Sequence, residues 1–357
     1  MVASSVILDV MKKLPKNLLI NIGLLIASLI IFFGGIEVFL RVSGLQSTQL
    51  KPSRMYAKPY LQKNENPDIR YDLKPNFSGW AHFSTVTTND AGFRSSELDI
   101  DKPTIAVLGD SMTFGYGVND DETFPYSLGN LLPEYNILNA GVPGYNLEQE
   151  RATYEQKIQQ LDPKALILVF YFNDFQNEKV WIDDKGILRP ENWTGEEVRE
   201  CNPIEDGLMG FIPGKCWLDL HSTFYLAIKK AVNLRSSIEE ADEERVEAQE
   251  GLIDDPVTQE NLDYYAEELA KLTALIPASL PRLFVIWPDR YLHPFAIPKL
   301  EGIAKRNGFK TLNLYEVIGN DFETLTWDYT HPNGETCERA AVAVFQSLQE
   351  HVLLDRM

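Results

Sequence analysis

A short aliphatic run that ends in Gly109, Asp110 and Ser111 is the feature that most constrains this chain. The run, residues 105–108, predicts a buried parallel strand, and the Gly-Asp-Ser after it predicts a tight turn into a helix. A serine at the carboxyl end of such a strand lies where open α/β sheets bind ligands, beside a helix N-terminus that favours negative charge. Ser111 is therefore a candidate nucleophile, and the competing interpretation is a helix N-cap.

Strands and helices alternate along the chain from Thr104. The predicted strands are Ile105–Leu108, Asn136–Asn139, Leu166–Phe172, Leu283–Trp287 and Thr311–Leu314. Helical patterns separate them near residues 122–132, 147–161, 258–276, 294–307 and 334–352. This alternation predicts a parallel sheet with helices on both faces, which is a three-layer α/β/α fold. Residues from about 175 to 256 are too many for one crossover connection and are interpreted as an insertion.

A second feature is an apolar run over residues 18–40, long enough to span a bilayer as a helix. Lys12, Lys13 and Lys16 precede it, which predicts a cytoplasmic N-terminus over residues 1–17 and a catalytic region outside the cytoplasmic membrane. The run is longer than the apolar core of most cleaved signal peptides, so an uncleaved signal anchor is favoured over a signal peptide or a core helix. The net charge of −19 argues against nucleic acid as a partner.

The segment between the apolar run and the sheet divides into two parts. Residues 41–70 are rich in Pro, Asn, Lys and Gln, and this composition is typical of an extended tether. Residues 71–102 contain short alternating runs and the turn-forming residues Asn89–Gly92, which predict a small β ribbon packed on the main domain. The main domain then occupies residues 103–357.

A nucleophilic serine needs a base, an acid that orients the base, and donors for an oxyanion. Of the five histidines, only His331 closely follows an acid in a loop, at three residues after Asp328. A glycine of the loop Asn139–Asn146, after the second strand, and Asn173, after the third, are candidate donors. Taken singly, each of these features is explained better by ordinary turn chemistry than by catalysis.

Together the four blocks resemble the SGNH, or GDSL, family of serine hydrolases. They are Gly109–Ser111, Asn139–Gly144, Asn173-Asp174 and Asp328–His331. The resemblance implies a flavodoxin-like sheet of order 2-1-3-4-5, a Ser111–His331–Asp328 triad, and an oxyanion hole made by Ser111, Gly144 and Asn173. It implies no metal and no cofactor. One departure is Tyr171, which stands where the family usually has glycine.

The expected function is that of an esterase that removes O-acyl groups, above all acetyl, from a cell-envelope or exported glycan. Three tryptophans in the insertion, Trp181, Trp193 and Trp217, are candidate sugar-binding residues, or they pack the insertion's own core. Three alternatives stay open: an O-acyltransferase of the same fold, a membrane lipid esterase, and a non-catalytic glycan-binding protein.

The three cysteines carry a separate expectation. Cys201 and Cys216 lie in one loop-rich part of the insertion, in a compartment that permits disulfides, and are predicted to pair. Cys337 lies in an apolar helical stretch and is predicted to be free and buried.

Overall fold

The computed structural model describes residues 15–43, 50, 57–175, 179–194, 212–249 and 255–350. Its strands are β1 Leu61–Lys63, β2 Tyr71–Leu73, β3 Ser78–Ala81, β4 Ser84–Thr87, β5 Thr104–Gly109, β6 Asn136–Gly141, β7 Ala165–Phe170, β8 Val180–Ile182, β9 Leu188–Pro190, β10 Arg282–Ile286 and β11 Lys310–Asn313. Its α-helices are α1 Lys16–Val42, α2 Ser111–Phe114, α3 Phe124–Leu131, α4 Leu147–Thr153, α5 Lys215–His221, α6 Thr223–Gln249, α7 Gln259–Leu275, α8 Ala296–Arg306, α9 Tyr315–Ile318 and α10 Gly334–Glu350.

The chain divides into two compact units. The first comprises Met1–Lys51 and Glu197–Lys230, and the second comprises Pro52–Glu196 and Ala231–Met357. The first unit contains α1, α5 and the beginning of α6. Its residues Ile20–Val42 have a mean hydropathy of 2.4 and none of the most apolar window is buried, so by length and composition this helix is able to cross a membrane.

The second unit is built on a five-stranded parallel sheet. The strands lie in the order β11-β10-β7-β5-β6, and all neighbouring pairs are parallel. Counted along the chain and read from the other edge, this is the order 2-1-3-4-5, so the predicted fold class is confirmed. Each of the five predicted strands is present, and no end differs from the prediction by more than two residues.

Two hydrophobic clusters cover the faces of this sheet. The alternation along β5 places Ala106 and Leu108 in one cluster, with side chains of α4, α7 and α8, and Ile105 and Val107 in the other, with α3 and α10. Every residue of β5 and of β7 is buried. A central strand covered on both faces requires this continuous apolar sequence, which explains why the prediction succeeded here.

The region before the sheet differs from the expectation in two ways. Residues 57–73 do not form the second half of a tether, because β1 and β2 pair there and Tyr60, Leu61 and Ile69 are buried. The ribbon predicted within residues 71–102 exists as β3 and β4. A turn is present at Asn89–Gly92, where the Gly92 N–H donates to the Asn89 carbonyl at 3.0 Å, but the β3–β4 hairpin turns at His82 and Phe83. Both turn residues have positive φ, at 52° and 61°.

The cysteines of the described residues occupy two environments. Cys337, on α10, is free and buried. Cys216, on α5, is disulfide-bonded. Its predicted partner, Cys201, lies outside the described residues, as do Lys12 and Lys13 of the predicted cytoplasmic flank.

Candidate active site

The Gly-Asp-Ser turn after β5 is held tightly against its neighbours. Ser111 is the first residue of α2, and the Asp110 carboxylate accepts a hydrogen bond from the Met112 N–H at 2.9 Å as the helix N-cap. A Cβ on Gly141, at the end of β6, would lie 2.2 Å from the Phe114 nitrogen, so only glycine permits this approach. The neighbouring strand thus fixes the short helix that carries Ser111.

A hydrogen-bonded chain links Ser111 to the loop before α10. The Nε2 atom of His331 lies 3.0 Å from the Ser111 Oγ, and its Nδ1 atom lies 2.9 Å from the Asp328 Oδ2. Ser111 and His331 are 220 positions apart along the chain, and the fold brings them into contact. An imidazole placed between a hydroxyl and a carboxylate has the geometry of a general base with its orienting acid.

The orienting acid is itself anchored by its own loop. The second oxygen of Asp328 accepts hydrogen bonds from the N–H groups of Thr330 (2.8 Å) and His331 (3.1 Å). Burial opposes ionisation of the Asp328 carboxyl, but the contacts with His331 and these N–H groups outweigh it and lower its pKa to about 2. Asp328 is therefore a carboxylate at every pH at which such an enzyme would work.

The candidate oxyanion donors come from the next two strand ends. Gly144 follows β6 with a φ of 80°, a left-handed conformation that glycine adopts at little cost. Asn173 follows β7, and its Nδ2 donates to the Tyr145 carbonyl over a long 3.4 Å. The Asn173 side chain also hydrogen-bonds the Asp110 carboxyl, which places it beside the Gly-Asp-Ser turn.

Tyr171, the departure from the family pattern, belongs to this site. Burial raises the pKa of its hydroxyl well above the ordinary range, and the charges of Asp289, Asp110 and Asp328 add to the shift. Of these carboxylates, Asp328 belongs to the candidate triad and Asp110 adjoins Ser111. Where a glycine would leave space, the chain therefore has a large ring.

Aromatic rings flank the imidazole, and sequence reasoning missed them. The Tyr116 ring stacks on His331 with centroids 4.3 Å apart, and His82 packs on the far side of Tyr116 at 3.9 Å. Trp327 lies 6.0 Å from Tyr116 and meets Phe83 edge to face at 4.8 Å. The signals available in the sequence were the aromatic Tyr116, five residues after the serine, and Trp327, just before Asp328, but neither spacing is specific.

Arg94 ties the ribbon to the loop that carries Tyr116. Its guanidinium donates to the carbonyls of Gly115 (2.6 Å), Val118 (2.9 Å) and Thr85 (2.6 Å) and pairs with Asp120 at 2.9 Å. This contact explains how the hairpin tip at His82 and Phe83 is brought beside the imidazole.

The three candidate sugar-binding tryptophans do not share one environment. Trp181 and Trp193 lie by the β8–β9 hairpin with ring centroids 6.0 Å apart, and the Arg189 guanidinium covers Trp193 at 4.4 Å. Trp217 belongs to the first unit, where it is 63% exposed.

Comparisons with known proteins add the following. Neither a protein-family model nor a curated protein matches this chain. Similar solved structures include a lipase/acylhydrolase from Enterococcus faecalis (12% identity, 70% of this chain and 96% of that one, TM-score 0.40). A member of the lipolytic protein G-D-S-L family from Veillonella parvula DSM 2008 is 12% identical over 68% of this chain and 96% of that one, with a TM-score of 0.38.

A third similar structure is an acetylxylan esterase from Geobacillus stearothermophilus (13% identity, 70% of this chain and 95% of that one, TM-score 0.37). These three proteins are a lipase/acylhydrolase, a lipolytic protein of the G-D-S-L family and an acetylxylan esterase. At this level of similarity, the functional conclusion depends on the geometry of Ser111, His331 and Asp328 in this chain.

Proposed function

We propose that this protein is a membrane-anchored serine esterase of the SGNH, or GDSL, family. The observation that carries the proposal is the hydrogen-bonded chain from Ser111 through His331 to Asp328 at the carboxyl ends of the parallel strands. Its two contacts, of 3.0 and 2.9 Å, lie within the range expected of a nucleophile, a base and an orienting acid.

The proposed reaction is acyl transfer to water in two steps. The Ser111 Oγ attacks the ester carbonyl while the His331 Nε2 accepts its proton, and the oxyanion is held by the N–H groups of Ser111 and Gly144 and by Asn173. The C–O bond then breaks as His331 returns the proton to the leaving alcohol. Water attacks the acyl-enzyme, His331 again accepts a proton, and the carboxylic acid leaves as Ser111 is restored.

Labelling with a fluorophosphonate probe tests this proposal directly. The wild-type chain should form one covalent adduct, at Ser111, and should hydrolyse a chromogenic acetate ester. The Ser111→Ala variant should do neither while its melting temperature stays the same. An adduct elsewhere, or undiminished turnover by Ser111→Ala, would refute the assignment.

We infer that the substrate is a short-chain acyl ester, above all acetyl, on a cell-envelope or exported glycan. The large Tyr171 ring, half-buried at the position where the family usually has glycine, supports a small acyl pocket. Aromatic faces beside the imidazole, at Tyr116 and Trp327, suit the C–H faces of a sugar leaving group, since His331 would protonate the alcohol. Trp181 and Trp193 are proposed as further sugar contacts, and their Ala variants should weaken glycan turnover more than acetate turnover.

A series of chromogenic esters separates this substrate from a lipid. Rates should fall steeply from acetate to octanoate, and Tyr171→Gly should flatten that series by enlarging the pocket. Tyr171→Phe is the matched control, because it keeps the ring and should keep the steep series. A wild-type preference for octanoate, or for phospholipid over acetylated glycan, would favour a membrane lipid esterase instead.

We further propose that α1 is a retained anchor, with the N-terminus in the cytoplasm and the catalytic unit outside. Its Glu37 side chain accepts hydrogen bonds from the N–H groups of Thr223 and Phe224, both at 2.9 Å, and cleavage would remove this acceptor. Protease added to spheroplasts should degrade the catalytic unit. Protection in intact spheroplasts, with cleavage after lysis, would reverse the orientation.

A further inference from the structure

An acidic residue near the end of the apolar helix joins it to the insertion. The Glu37 carboxylate accepts hydrogen bonds from the N–H groups of Thr223 and Phe224 and from the Ser222 hydroxyl, at 2.9, 2.9 and 3.0 Å. It therefore caps the N-terminus of α6 from another helix. Arg41 completes the contact, because it pairs with Glu37 at 2.6 Å and donates to the His221 carbonyl at 2.6 Å.

This contact explains how a charged residue is tolerated in the segment. An unpaired carboxylate at the edge of the hydrocarbon region is costly, whereas one that accepts three hydrogen bonds and pairs with a guanidinium is compensated. The polar cluster at residues 221–224 is therefore bound to α1 at one defined height.

The height of that contact follows from helix geometry. The candidate span Ile20–Val42 is about 34 Å long, close to the roughly 30 Å of a bilayer's hydrocarbon core. Glu37 lies about 8 Å before Val42 along the axis, and Phe33, whose ring is 5.6 Å from that of Phe224, lies about 14 Å before it. If the span crosses the bilayer, residues 221–224 must lie within the boundary region of the membrane near Val42.

The residues around this contact have the surface that such a location requires. Asp219 is buried and pairs with Lys229 at 3.0 Å, and Tyr225 and Leu226 are buried as well. Large apolar side chains on the same segment are exposed: Trp217 at 63%, Leu220 at 47% and Ile228 at 40%. Tryptophan is the residue most typical of the membrane interface, because its ring is apolar and its N–H finds a polar partner.

We propose that residues 215–228 lie in the bilayer interface, and that Trp217, Leu220 and Ile228 contact lipid there. The occupant of this apolar surface is the membrane itself, because α1 holds the surface at membrane depth. The inference rests on the membrane anchor proposed above and not on the esterase reaction. It gives Trp217 a role in membrane contact rather than in sugar binding.

Fluorescence quenching in nanodiscs tests the inference on the full-length protein. Nanodiscs of phosphatidylcholine, with one copy of the chain each, would be compared with nanodiscs of the brominated lipid. The wild type should lose a distinct part of its tryptophan emission to bromine, and Trp217→Phe should reduce that quenched part at least threefold. Trp80→Phe is the matched control, since Trp80 is also exposed, at 48%, but belongs to the second unit.

A second variant tests the role of the polar contact. Glu37→Leu removes the acceptor for α6 and should lower the quenched emission at least twofold while acetate-ester turnover stays within twofold of the wild type. Unchanged quenching in Glu37→Leu would overturn the role given to Glu37.

The outcomes also separate this inference from the anchor and the esterase. A chain that inserts into nanodiscs but shows equal quenching in wild type and Trp217→Phe overturns the interface alone, and a second copy or a soluble partner would then be the occupant to test. A chain that does not insert overturns the anchor and the interface together. Neither result changes the assignment of Ser111 as the nucleophile.

Discussion

His293 follows β10 and His331 follows β11, two neighbouring strands at one side of the sheet, yet their imidazoles have different partners. His331 contacts one carboxylate, Asp328, and one hydroxyl, Ser111, at 2.9 and 3.0 Å. His293 contacts two carboxylates, Asp255 at 3.0 Å through Nδ1 and Asp289 at 3.1 Å through Nε2. Its side chain is 3% exposed, and Phe172 stacks on it with centroids 3.6 Å apart.

The partners decide what each ring can do. Both nitrogens of His293 face a carboxyl group, so neither is directed at a hydroxyl that it could deprotonate. A hydroxyl both donates and accepts, so the Nε2 of His331 is able to act as an acceptor toward Ser111. His331 is therefore available as a base, whereas His293 links Asp255 to Asp289 in the loop after β10.

The largest expected effect is the loss of activity on removing the imidazole beside the serine. His331→Ala should lower kcat on the acetate ester by at least about 10³-fold, because triad members act as a unit. Ser111→Ala should match it, and the double variant should be no worse than either single variant. Additive losses in the double variant would mean that the two side chains do not act together.

The second expected effect is that removing the imidazole of His293 lowers stability but not activity. His293→Ala leaves two carboxylates facing each other without their shared donor, and should lower the free energy of unfolding by about 3 kcal/mol. The folded His293→Ala protein should keep kcat within about fivefold of the wild type, because among the described residues His293 contacts Asp255, Asp289 and Phe172 and neither Ser111 nor His331. Urea denaturation and active-site titration measure the two quantities.

His293→Gln is the control for that experiment, because its amide still donates and should recover part of the lost stability. If His293→Ala were instead as inactive as His331→Ala while fully folded, the contrast between the two rings would be wrong.

The third expected effect concerns the orienting acid and pH. The folded pKa of Asp328, about 2, is below the ordinary 3.8, so its ionised contacts stabilise the fold above about pH 4 and are lost as the pH falls toward 2. The difference corresponds to about 2 kcal/mol for a side chain that is one-fifth exposed. Asp328→Asn should be less stable than the wild type by about that amount at pH 7.

The gap should narrow as the pH is lowered and should almost vanish by pH 2. Free energies of unfolding of both proteins at pH 7, 4 and 2.5 check this. A gap that stays constant over this range would show that ionisation of Asp328 does not contribute to stability.

The two histidines also show what the sequence can and cannot predict. Asp328 and His331 are close along the chain, and the strands that position their partners are continuous apolar runs, so local pattern and family resemblance predict this group. Asp289 lies only four residues before His293, but Asp255 is 38 residues away, and no local pattern indicates that its carboxylate will meet this ring. The same is true of Glu37 and Thr223, which are 186 positions apart.

The position of the hairpin turn differs from the prediction for another reason. A turn does form at Asn89–Gly92, with the Gly92 N–H donating to the Asn89 carbonyl at 3.0 Å, but the two strands of the ribbon do not reverse there. Asn89–Gly92 contains the residues that tolerate positive φ most easily, which is why the sequence favoured a turn there. The hairpin turns instead at His82 and Phe83, where positive φ is costly for both side chains. Contacts of His82 with Tyr116 and of Phe83 with Trp327 offset that cost, and these contacts exist only in the folded chain.

The smallest expected effect concerns a buried carboxyl group, that of Glu150, which has no histidine as a hydrogen-bond partner among the described residues. Glu150, on α4, is fully buried, and neither carboxyl oxygen has a hydrogen-bond partner among the described residues. Burial raises its pKa well above the ordinary range, and the negative charge of Asp110 adds to the shift. A group with a raised pKa favours the folded state at low pH, and this advantage is lost as the pH rises above about 4.5 toward the folded value.

Glu150→Gln replaces the carboxyl group with a neutral one of the same shape, so that no proton needs to be retained on folding. Wild type and variant should be similarly stable at pH 4, and the variant should be the more stable at pH 8, by at least about 1 kcal/mol. Urea denaturation at pH 4, 6 and 8 measures the difference, with Glu148→Gln on the same helix as the matched control. If the stabilities of wild type and Glu150→Gln changed with pH in parallel, the Glu150 carboxyl would be ionised in the folded protein. A buried carboxylate would then be tolerated at this position without a histidine to donate a hydrogen bond to it.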